Sequence, residues 1–454
     1  MKRIRISPVH LIPVSFLITI VVGTLLLMIP AATVVGKTTD FLTAAFTSTT
    51  SVCVTGLVVV DTYAQWSAFG QGVILVLAQI GGLGVVAVGS MLMIIGRKKF
   101  SLGDRLLLGD SLNIEKNRGL IRFLKRIFKD VFFVELTGAL LYAVKFVPLL
   151  GLERGLWASL FQSVSAFCNA GMDVVGPNSM IDFNGSYYLM GVTMVLIILG
   201  GLGFVVWFDV LDGIRSAVKN RMSLGRMLRH LPEHSKLVLI VTLVLLAAGT
   251  LVVFVSEYDN PATMAGMPLP KKLLNSLFQS VTFRTAGFAS VPQDGLTESS
   301  CLIGYVLMFI GGSPVGTAGG VKTVTAFLVF MNAVSYIRGR KENVIFHRRV
   351  SEELMRKAAA VVFVSISMVF VMTLLLMASD GISMTDALYE EVSALATVGL
   401  SRGLTPRLST IGRVIVIISM YLGRIGPISM AIFFTKGAGL DNKVKHAEGT
   451  FYVG

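Results

Sequence analysis

The feature that most constrains the fold is a short sequence pattern that occurs four times along the chain. Each copy ends in a glycine, and these glycines stand at positions 56, 171, 287 and 399, with spacings of 115, 116 and 112 residues. A near-constant spacing of this length indicates an internal repeat, in which every copy is one structural unit of the same kind. Three copies also carry a hydroxyl residue six positions before the glycine, whereas Val281 takes this place in the third copy. The sequence therefore predicts four similar units joined end to end.

The composition indicates that these units lie in a membrane. The 454 residues are 54% hydrophobic and 15% charged, with a mean hydropathy of +0.76, whereas a soluble chain of this length needs more charge to cover its surface. Apolar runs of about 20 residues, the length that a helix needs to cross a bilayer, occur eight times. They lie near residues 9–29, 69–95, 131–150, 187–208, 237–255, 301–336, 359–378 and 410–435. The first run is longer than the apolar part of a signal peptide, so we expect a retained span.

A shorter helix-like segment lies between the two apolar runs of each pair and leads towards a repeat glycine. At about three turns it is too short to cross a bilayer, so a re-entrant pore helix is the natural interpretation. The four segments are Asp40–Thr50, Glu153–Ser165, Lys271–Thr282 and Thr385–Ser393. We therefore predict an all-α polytopic membrane protein. Eight transmembrane helices would form four parallel span–pore-helix–span repeats with pseudo-fourfold symmetry around one central pore.

The basic residues predict the orientation and the repeat boundaries. Of the 40 Lys and Arg residues, 29 lie in the N-terminus, the loops between repeats and the C-terminus. By the positive-inside rule these segments and both termini are cytoplasmic, and the pore segments enter from outside. The net charge of +14 is then an orientation signal, which disfavours nucleic-acid binding and suits membrane lipid or an acidic partner. The predicted repeats are 1–100, 130–214, 236–337 and 358–436, separated by cytoplasmic loops 101–129, 215–235 and 338–357 and followed by a tail, 437–454.

The segments around the repeat glycines have the residue types that an ion filter needs. Thr397-Val398-Gly399 matches the start of the carbonyl-lined loop of tetrameric potassium channels. Backbone carbonyls can replace the water around a monovalent cation, and glycine allows the backbone angles that turn them inward. The partially negative C-terminal ends of the pore helices favour a cation at the centre. The predicted K⁺-binding filter consists of Val54, Thr55, Gly56, Asn169, Ala170, Gly171, Thr285, Ala286, Gly287, Thr397, Val398 and Gly399.

A second set of glycines, in the second span of each repeat, predicts a gate. Three repeats have a glycine where the fourth has Arg424, and a charge at mid-span indicates function by default. A structural ion pair or a carbonyl-capping role for this arginine is the alternative. The third repeat interrupts its span at 311–320 with residues that do not hold a helix, which predicts a flexible intramembrane loop. The predicted gate consists of Gly311, Gly312, Ser313, Pro314, Gly316, Gly319, Gly320 and Arg424.

Other chemistry is disfavoured. The segment from Gly316 to Thr323 is one substitution away from a phosphate-binding loop, but it lacks the preceding strand. His230 and His234 have no third ligand nearby, so we predict no metal site beyond K⁺, no covalently bound cofactor and no enzyme activity. Glu390 and Glu391 either brace the pore loop, concentrate cations at its mouth or simply pack. Glu135 is expected to reach the membrane surface by snorkelling.

Taken together, these motifs resemble the KtrB-type membrane subunit of bacterial potassium uptake systems, in the superfamily that includes TrkH and the plant high-affinity cation transporters. The resemblance covers nearly the whole chain, because the four filter segments, the glycine-rich insertion and Arg424 occur in order and in phase. It implies a K⁺ pore in each subunit of a homodimer in the bacterial cytoplasmic membrane. It also implies a KtrA-like cytosolic ring of nucleotide-binding (RCK/KTN-type) regulatory subunits.

Two other classes of transporter remain open at this point. One is the K⁺-translocating subunit of an ATP-driven pump, and the other is an alternating-access cation carrier. Two spans per repeat favour parallel repeats around one pore, whereas the inverted repeats of carriers need an odd number of spans. No copy of the pattern has the full Thr-Val-Gly-Tyr-Gly of potassium channels, so Na⁺ is a second candidate ion.

Overall fold

The computed structural model describes residues 8–96, 108–109, 119–340 and 342–426. Within these ranges the regular structure is helical, apart from one antiparallel hairpin that pairs Val344–Ile345 with Arg348–Arg349. The all-α prediction is therefore confirmed. The predictions for the N-terminal basic segment, for most of the 101–129 loop and for everything beyond residue 426, including the tail 437–454, lie outside the described residues.

Each predicted repeat contains a long helix, a short helix and a further helical segment. In the first repeat the helices are Pro8–Leu27, Phe41–Val52, Thr62–Gln65, Ala68–Leu83 and Val85–Ile95. In the second they are Leu120–Leu150, Leu152–Cys168, Tyr187–Leu202 and Phe204–Lys219, followed by Leu224–His230. In the third they are Glu233–Glu257, Leu269–Phe283, Glu298–Phe309 and Thr323–Ile337. In the fourth they are Glu352–Asp380, Met384–Leu395 and Thr410–Ile425. Single 3₁₀ turns occupy Pro30–Ala32, Ile181–Phe183 and Thr405–Arg407.

We call the first long helix of each repeat its first span. Those of repeats 2, 3 and 4 are 31, 25 and 29 residues long and are long and apolar enough to cross a bilayer. The first repeat has a shorter apolar stretch, Leu11–Leu27. Large apolar side chains face outward on these helices: Leu243 is 69% exposed and Phe363 is 73% exposed. Lipid solvates such a surface and water does not, so this is a multi-pass membrane protein.

The helices after the pore segments, which we call the second spans, differ from the prediction. The runs 69–95 and 187–208 were expected to be continuous helices, but each breaks at a glycine. The chain bends by 98° at Gly84 and by 103° at Gly203. Both glycines have φ near +90°, a left-handed conformation that other residues rarely adopt, and Gly426 has it at the end of the fourth second span. The third second span breaks over the predicted intramembrane loop instead, between Phe309 and Thr323.

The four predicted pore helices are present, and each runs slightly further towards its repeat glycine than expected. They are Phe41–Val52, Leu152–Cys168, Leu269–Phe283 and Met384–Leu395. The first and fourth begin with side-chain caps, since Asp40 accepts a hydrogen bond from Thr43 N at 3.2 Å and Ser383 accepts one from Asp386 N at 3.1 Å. Most residues of all four helices are buried in the centre of the protein.

Candidate functional site

The four repeat glycines meet at one place. A Cβ atom added to Gly56 would lie 3.1 Å from Gly171 Cα, and one added to Gly171 would lie 2.8 Å from Gly287 Cα. From Gly287 the corresponding distance to Gly399 Cα is 3.4 Å, and from Gly399 to Gly56 Cα it is 2.9 Å. The glycines therefore form a closed ring in chain order, and residues up to 343 positions apart become neighbours.

The backbone follows the same unusual path in all four segments. The glycines have φ between +64° and +100°, and the residue two positions earlier is also left-handed. These earlier residues are Val54 at 54°, Asn169 at 59°, Thr285 at 65° and Thr397 at 52°. Three of them are β-branched, for which positive φ is strained, and such strain concentrates at functional sites. The residue between them does not have positive φ, so the backbone handedness changes at each step along every segment.

A hydroxyl group braces each segment from behind. Thr50 Oγ1 accepts a hydrogen bond from Gly56 N at 2.9 Å, and Ser393 Oγ accepts one from Gly399 N at 3.0 Å. In the second repeat Ser165 Oγ accepts from Met172 N at 3.2 Å. The third repeat was expected to lack this residue, but Thr282, one position later than Val281, donates to Phe288 O at 2.7 Å. A hydroxyl group therefore bonds to the backbone of the segment in all four repeats, although in the third repeat it belongs to a residue one position later and acts as the donor.

All twelve predicted filter residues lie in these four segments, and several carry buried polar atoms with no hydrogen-bond partner among the described residues. These atoms are Thr55 Oγ1, both amide atoms of Asn169, Thr285 Oγ1 and Thr397 Oγ1. The pore helices end at Val52, Cys168, Phe283 and Leu395, so their partially negative C-termini converge on the same place. Unpaired oxygen atoms and converging helix C-termini form an environment that suits a cation.

The intramembrane loop lies against this ring. Ser313 N donates to Gly201 O at 2.8 Å, and Thr317 Oγ1 donates to Phe167 O at 3.0 Å, which places the loop on the second repeat. On the opposite side, a Cβ atom added to Gly319 would lie 2.6 Å from Ala396 O. The non-helical backbone predicted for 311–320 is confirmed, and the loop touches the filter segments of two other repeats.

Arg424 fastens this loop to the first repeat. Its guanidinium donates to Thr317 O at 2.8 Å and to Gly81 O at 2.5 Å. No ion pair with a carboxylate is found for it within the described ranges, so of the two structural alternatives the carbonyl-capping arrangement is the one present. Of the eight predicted gate residues, the seven loop residues and Arg424 are brought together.

Two further basic residues hold the same loop, and the sequence reasoning missed both. Arg284, which is 8% exposed, donates to Gly311 O at 2.9 Å, and Lys322 Nζ donates to Ala318 O at 2.6 Å. The sequence alone could have indicated Arg284, because this charged residue stands three positions before a repeat glycine. The other repeats have uncharged residues there, namely Cys53, Cys168 and Ala396.

Glu135 also differs from its prediction. It was expected to snorkel to the membrane surface, but it is only 8% exposed and accepts a hydrogen bond from Gln79 Nε2 at 3.1 Å. Cys168 Sγ lies 3.9 Å from the other carboxyl oxygen of Glu135. The carboxyl group therefore lies next to the second filter segment. It does not reach the membrane surface, because this face of its helix packs against neighbouring helices.

An acidic residue stands just beyond the ring. Asp173 is half-buried and follows Gly171 by two positions. Burial, assisted by the negative charge of Asp61, raises the pKa of Asp173 to about 7. Its charge therefore changes near neutral pH, at the mouth of the candidate ion pathway.

Comparison with known proteins agrees with this geometry. The family of TrkH cation transport proteins matches residues 8–444. The chain belongs to this family. It is 37% identical over 453 residues to the Ktr system potassium uptake protein B of Bacillus subtilis, covering 100% of this chain and 98% of that protein.

Two other similarities support the assignment. The potassium/sodium uptake protein NtpJ of Enterococcus hirae is 34% identical over 457 residues, with 100% of this chain and 98% of NtpJ covered. The crystal structure of the potassium transporter TrkH from Vibrio parahaemolyticus superposes with a TM-score of 0.75 at 16% identity, covering 96% of this chain and 86% of that one, which supports the fold. The resemblance to KtrB-type proteins and the prediction of a transporter rather than an enzyme are confirmed.

Proposed function

We propose that this TrkH family member is the ion-conducting subunit of a bacterial K⁺ uptake system. Dehydrated K⁺ passes through a filter with four walls, formed by the twelve residues named above. The observation that carries this proposal is the closed ring of Gly56, Gly171, Gly287 and Gly399, with the same alternating backbone in every wall. Carbonyl rings of this kind replace the hydration shell of a monovalent cation.

The intramembrane loop and Arg424 act as the gate. Three cationic side chains hold loop carbonyls, and the loop lies against the filter segments of the second and fourth repeats. Conduction requires the loop to move, so each of these bonds stabilises the closed state. A positive charge next to the pathway also opposes cation entry while the gate is closed.

The regulatory arrangement belongs to the same proposal. The name of the Bacillus subtilis relative assigns that protein to a Ktr system. We infer that this chain forms a homodimer in the cytoplasmic membrane with both termini inside. A cytosolic nucleotide-binding ring docks on the basic inter-repeat loops and moves the gate.

The decisive experiment is ⁸⁶Rb⁺ uptake into proteoliposomes with and without excess Na⁺. We expect uptake driven by an outward K⁺ gradient, strong competition by K⁺ and weaker competition by Na⁺. Deleting residues 313–319 should raise the rate in a protein that remains folded. Uptake that is absent, or that needs ATP hydrolysis by a further subunit, would overturn the proposal in favour of a pump component.

A further inference from the structure

The pore helices of the first three repeats contact their neighbours through the same small group of residues. A serine near the middle of the pore helix donates a hydrogen bond to a carbonyl oxygen of the first span at 2.6–2.9 Å. These bonds join Ser48 to Ile20, Ser163 to Glu135 and Ser280 to Leu246. A leucine of the second span completes each group: Leu77, Leu196 and Leu307, respectively. Each serine is therefore satisfied, because its hydroxyl group has a backbone acceptor on the first span.

The fourth repeat departs from this arrangement at two of these places. Glu391 precedes Gly399 by eight positions, as Ser48 precedes Gly56, so a carboxyl group replaces the serine hydroxyl. Ser419 precedes Gly426 by seven positions, as Leu77 precedes Gly84, so a hydroxyl replaces the leucine. The first span of the fourth repeat, which packs against this pore helix, adds a third buried polar side chain, Thr373.

These three polar side chains are almost fully buried. Glu391 and Ser419 are 0% exposed, and Thr373 is 6% exposed. Both carboxyl oxygens of Glu391 and the hydroxyls of Ser419 and Thr373 meet no partner with full hydrogen-bond geometry among the described residues, and the Ser419 hydroxyl lies close enough to the carboxyl group of Glu391 to interact with it. A buried carboxylate is strongly unfavourable unless a positive charge or several donors compensate it. The four unpaired oxygen atoms are ligands of the type that hard cations prefer.

We propose that Glu391, Ser419 and Thr373 form a monovalent cation site behind the fourth filter wall. One carboxylate balances one positive charge, which favours a monovalent ion over Mg²⁺ or Ca²⁺ in this apolar setting. The site is separate from the filter, because Glu391 lies on the pore helix two turns before Gly399. An ion bound there stabilises the fourth pore helix, and with it the wall that contains Thr397-Val398-Gly399. This inference goes beyond the proposed transport function, and binding can be measured without flux.

The test uses the other repeats as a guide to variants that fold. Glu391→Ser and Ser419→Leu introduce into the fourth repeat the residue types of the first three. Glu391→Gln keeps the volume of the side chain and removes its charge. The midpoint of thermal unfolding of the purified full-length protein is measured in NaCl, KCl and choline chloride at equal ionic strength. We expect Na⁺ or K⁺ to raise the wild-type midpoint by about 2 °C for each tenfold increase above the dissociation constant, and choline to have no effect.

The three variants should lose the part of this stabilisation that belongs to the site. A filter variant, Gly399→Ser, should keep it, which separates this site from K⁺ bound in the filter. Equal stabilisation of wild type and Glu391→Ser overturns the proposal. A wild-type midpoint that changes with pH but not with Na⁺ or K⁺ also overturns it, since a proton then compensates the carboxylate. Failure of ⁸⁶Rb⁺ uptake by the wild type counts against the proposed function alone.

Discussion

Replacing Arg424 by alanine should increase ion flux, and the structure gives the size of the effect. The guanidinium donates to Thr317 in the intramembrane loop at 2.8 Å and to Gly81 in the first repeat at 2.5 Å. If the loop moves away on opening, only the bond to Thr317 has to break. A hydrogen bond from a charged donor contributes about 1.5–3 kcal/mol, so its removal lowers the closed-to-open ratio about 10- to 150-fold.

The assay is the initial rate of ⁸⁶Rb⁺ uptake into proteoliposomes that contain equal amounts of folded protein. Arg424→Lys should give an intermediate rate, because lysine keeps the charge but lacks the planar guanidinium group that donates to both carbonyl oxygens at once. Arg413→Ala is a matched control, since this arginine lies on the same helix but donates to Leu408 O and Pro406 O, away from the loop. The wild-type open fraction sets the upper limit of the increase.

The refuting result is an Arg424→Ala protein that is monodisperse, unfolds like the wild type and conducts no faster. Loss of folding in Arg424→Ala, together with normal folding of Arg424→Lys, would instead assign this residue a structural role.

Three other predictions concern the filter and its mouth. Gly399→Ser should reduce the preference for K⁺ over Na⁺ in ⁸⁶Rb⁺ competition, because this glycine has φ of +97° and an added Cβ atom would lie 2.9 Å from Gly56 Cα. Gly89→Ser is the control, because a Cβ atom added to Gly89 would have no heavy atom within 4 Å apart from its own helix backbone. Equal selectivity in both variants would contradict the filter assignment. Arg284→Ala should raise both flux and Na⁺ competition, since it removes the bond between a filter segment and Gly311. Cys53→Ala at the matching place in the first repeat should do neither, and identical behaviour of the two variants would show that Arg284 does not couple filter and loop. Uptake should fall as external pH decreases from about 8 to 6, because the pKa of Asp173 is about 7 and its cation-attracting negative charge is lost below that value. Asp173→Asn should show a low rate with a flat pH profile, and a wild-type profile in this variant would exclude Asp173 as the titrating group.

Much of the site was predictable because its signals are periodic and local. The spacing of the four glycines, the apolar runs and the short segments between them depend only on residue order. They predict the pore helices, the filter segments and the loop at 311–320. Arg424 was also predictable, because a charge within an apolar run is visible without knowledge of its partners.

The errors arose where one stretch of sequence has two structural solutions. The run 69–95 is apolar throughout, so hydropathy predicts one span, but a glycine at φ near +90° turns the chain at Gly84. The helix face to which Glu135 belongs is likewise decided by its neighbours, since a carboxyl group can snorkel to the membrane surface or pack inside. Val281 seemed to end the hydroxyl pattern because a shift of one residue at a helix end is not visible in the sequence.

The sequence by itself therefore determined the four repeats, their pore segments and the residue types of the filter. Only the tertiary structure decided which residues meet: the order of the glycines in the ring, the three cations on the loop and the unpaired oxygens around Glu391. The physical reason is that helix formation and membrane insertion depend on neighbouring residues and on local hydropathy. Contacts between Gly56 and Gly399, or between Arg424 and Gly81, depend instead on how four separately formed units pack around one axis.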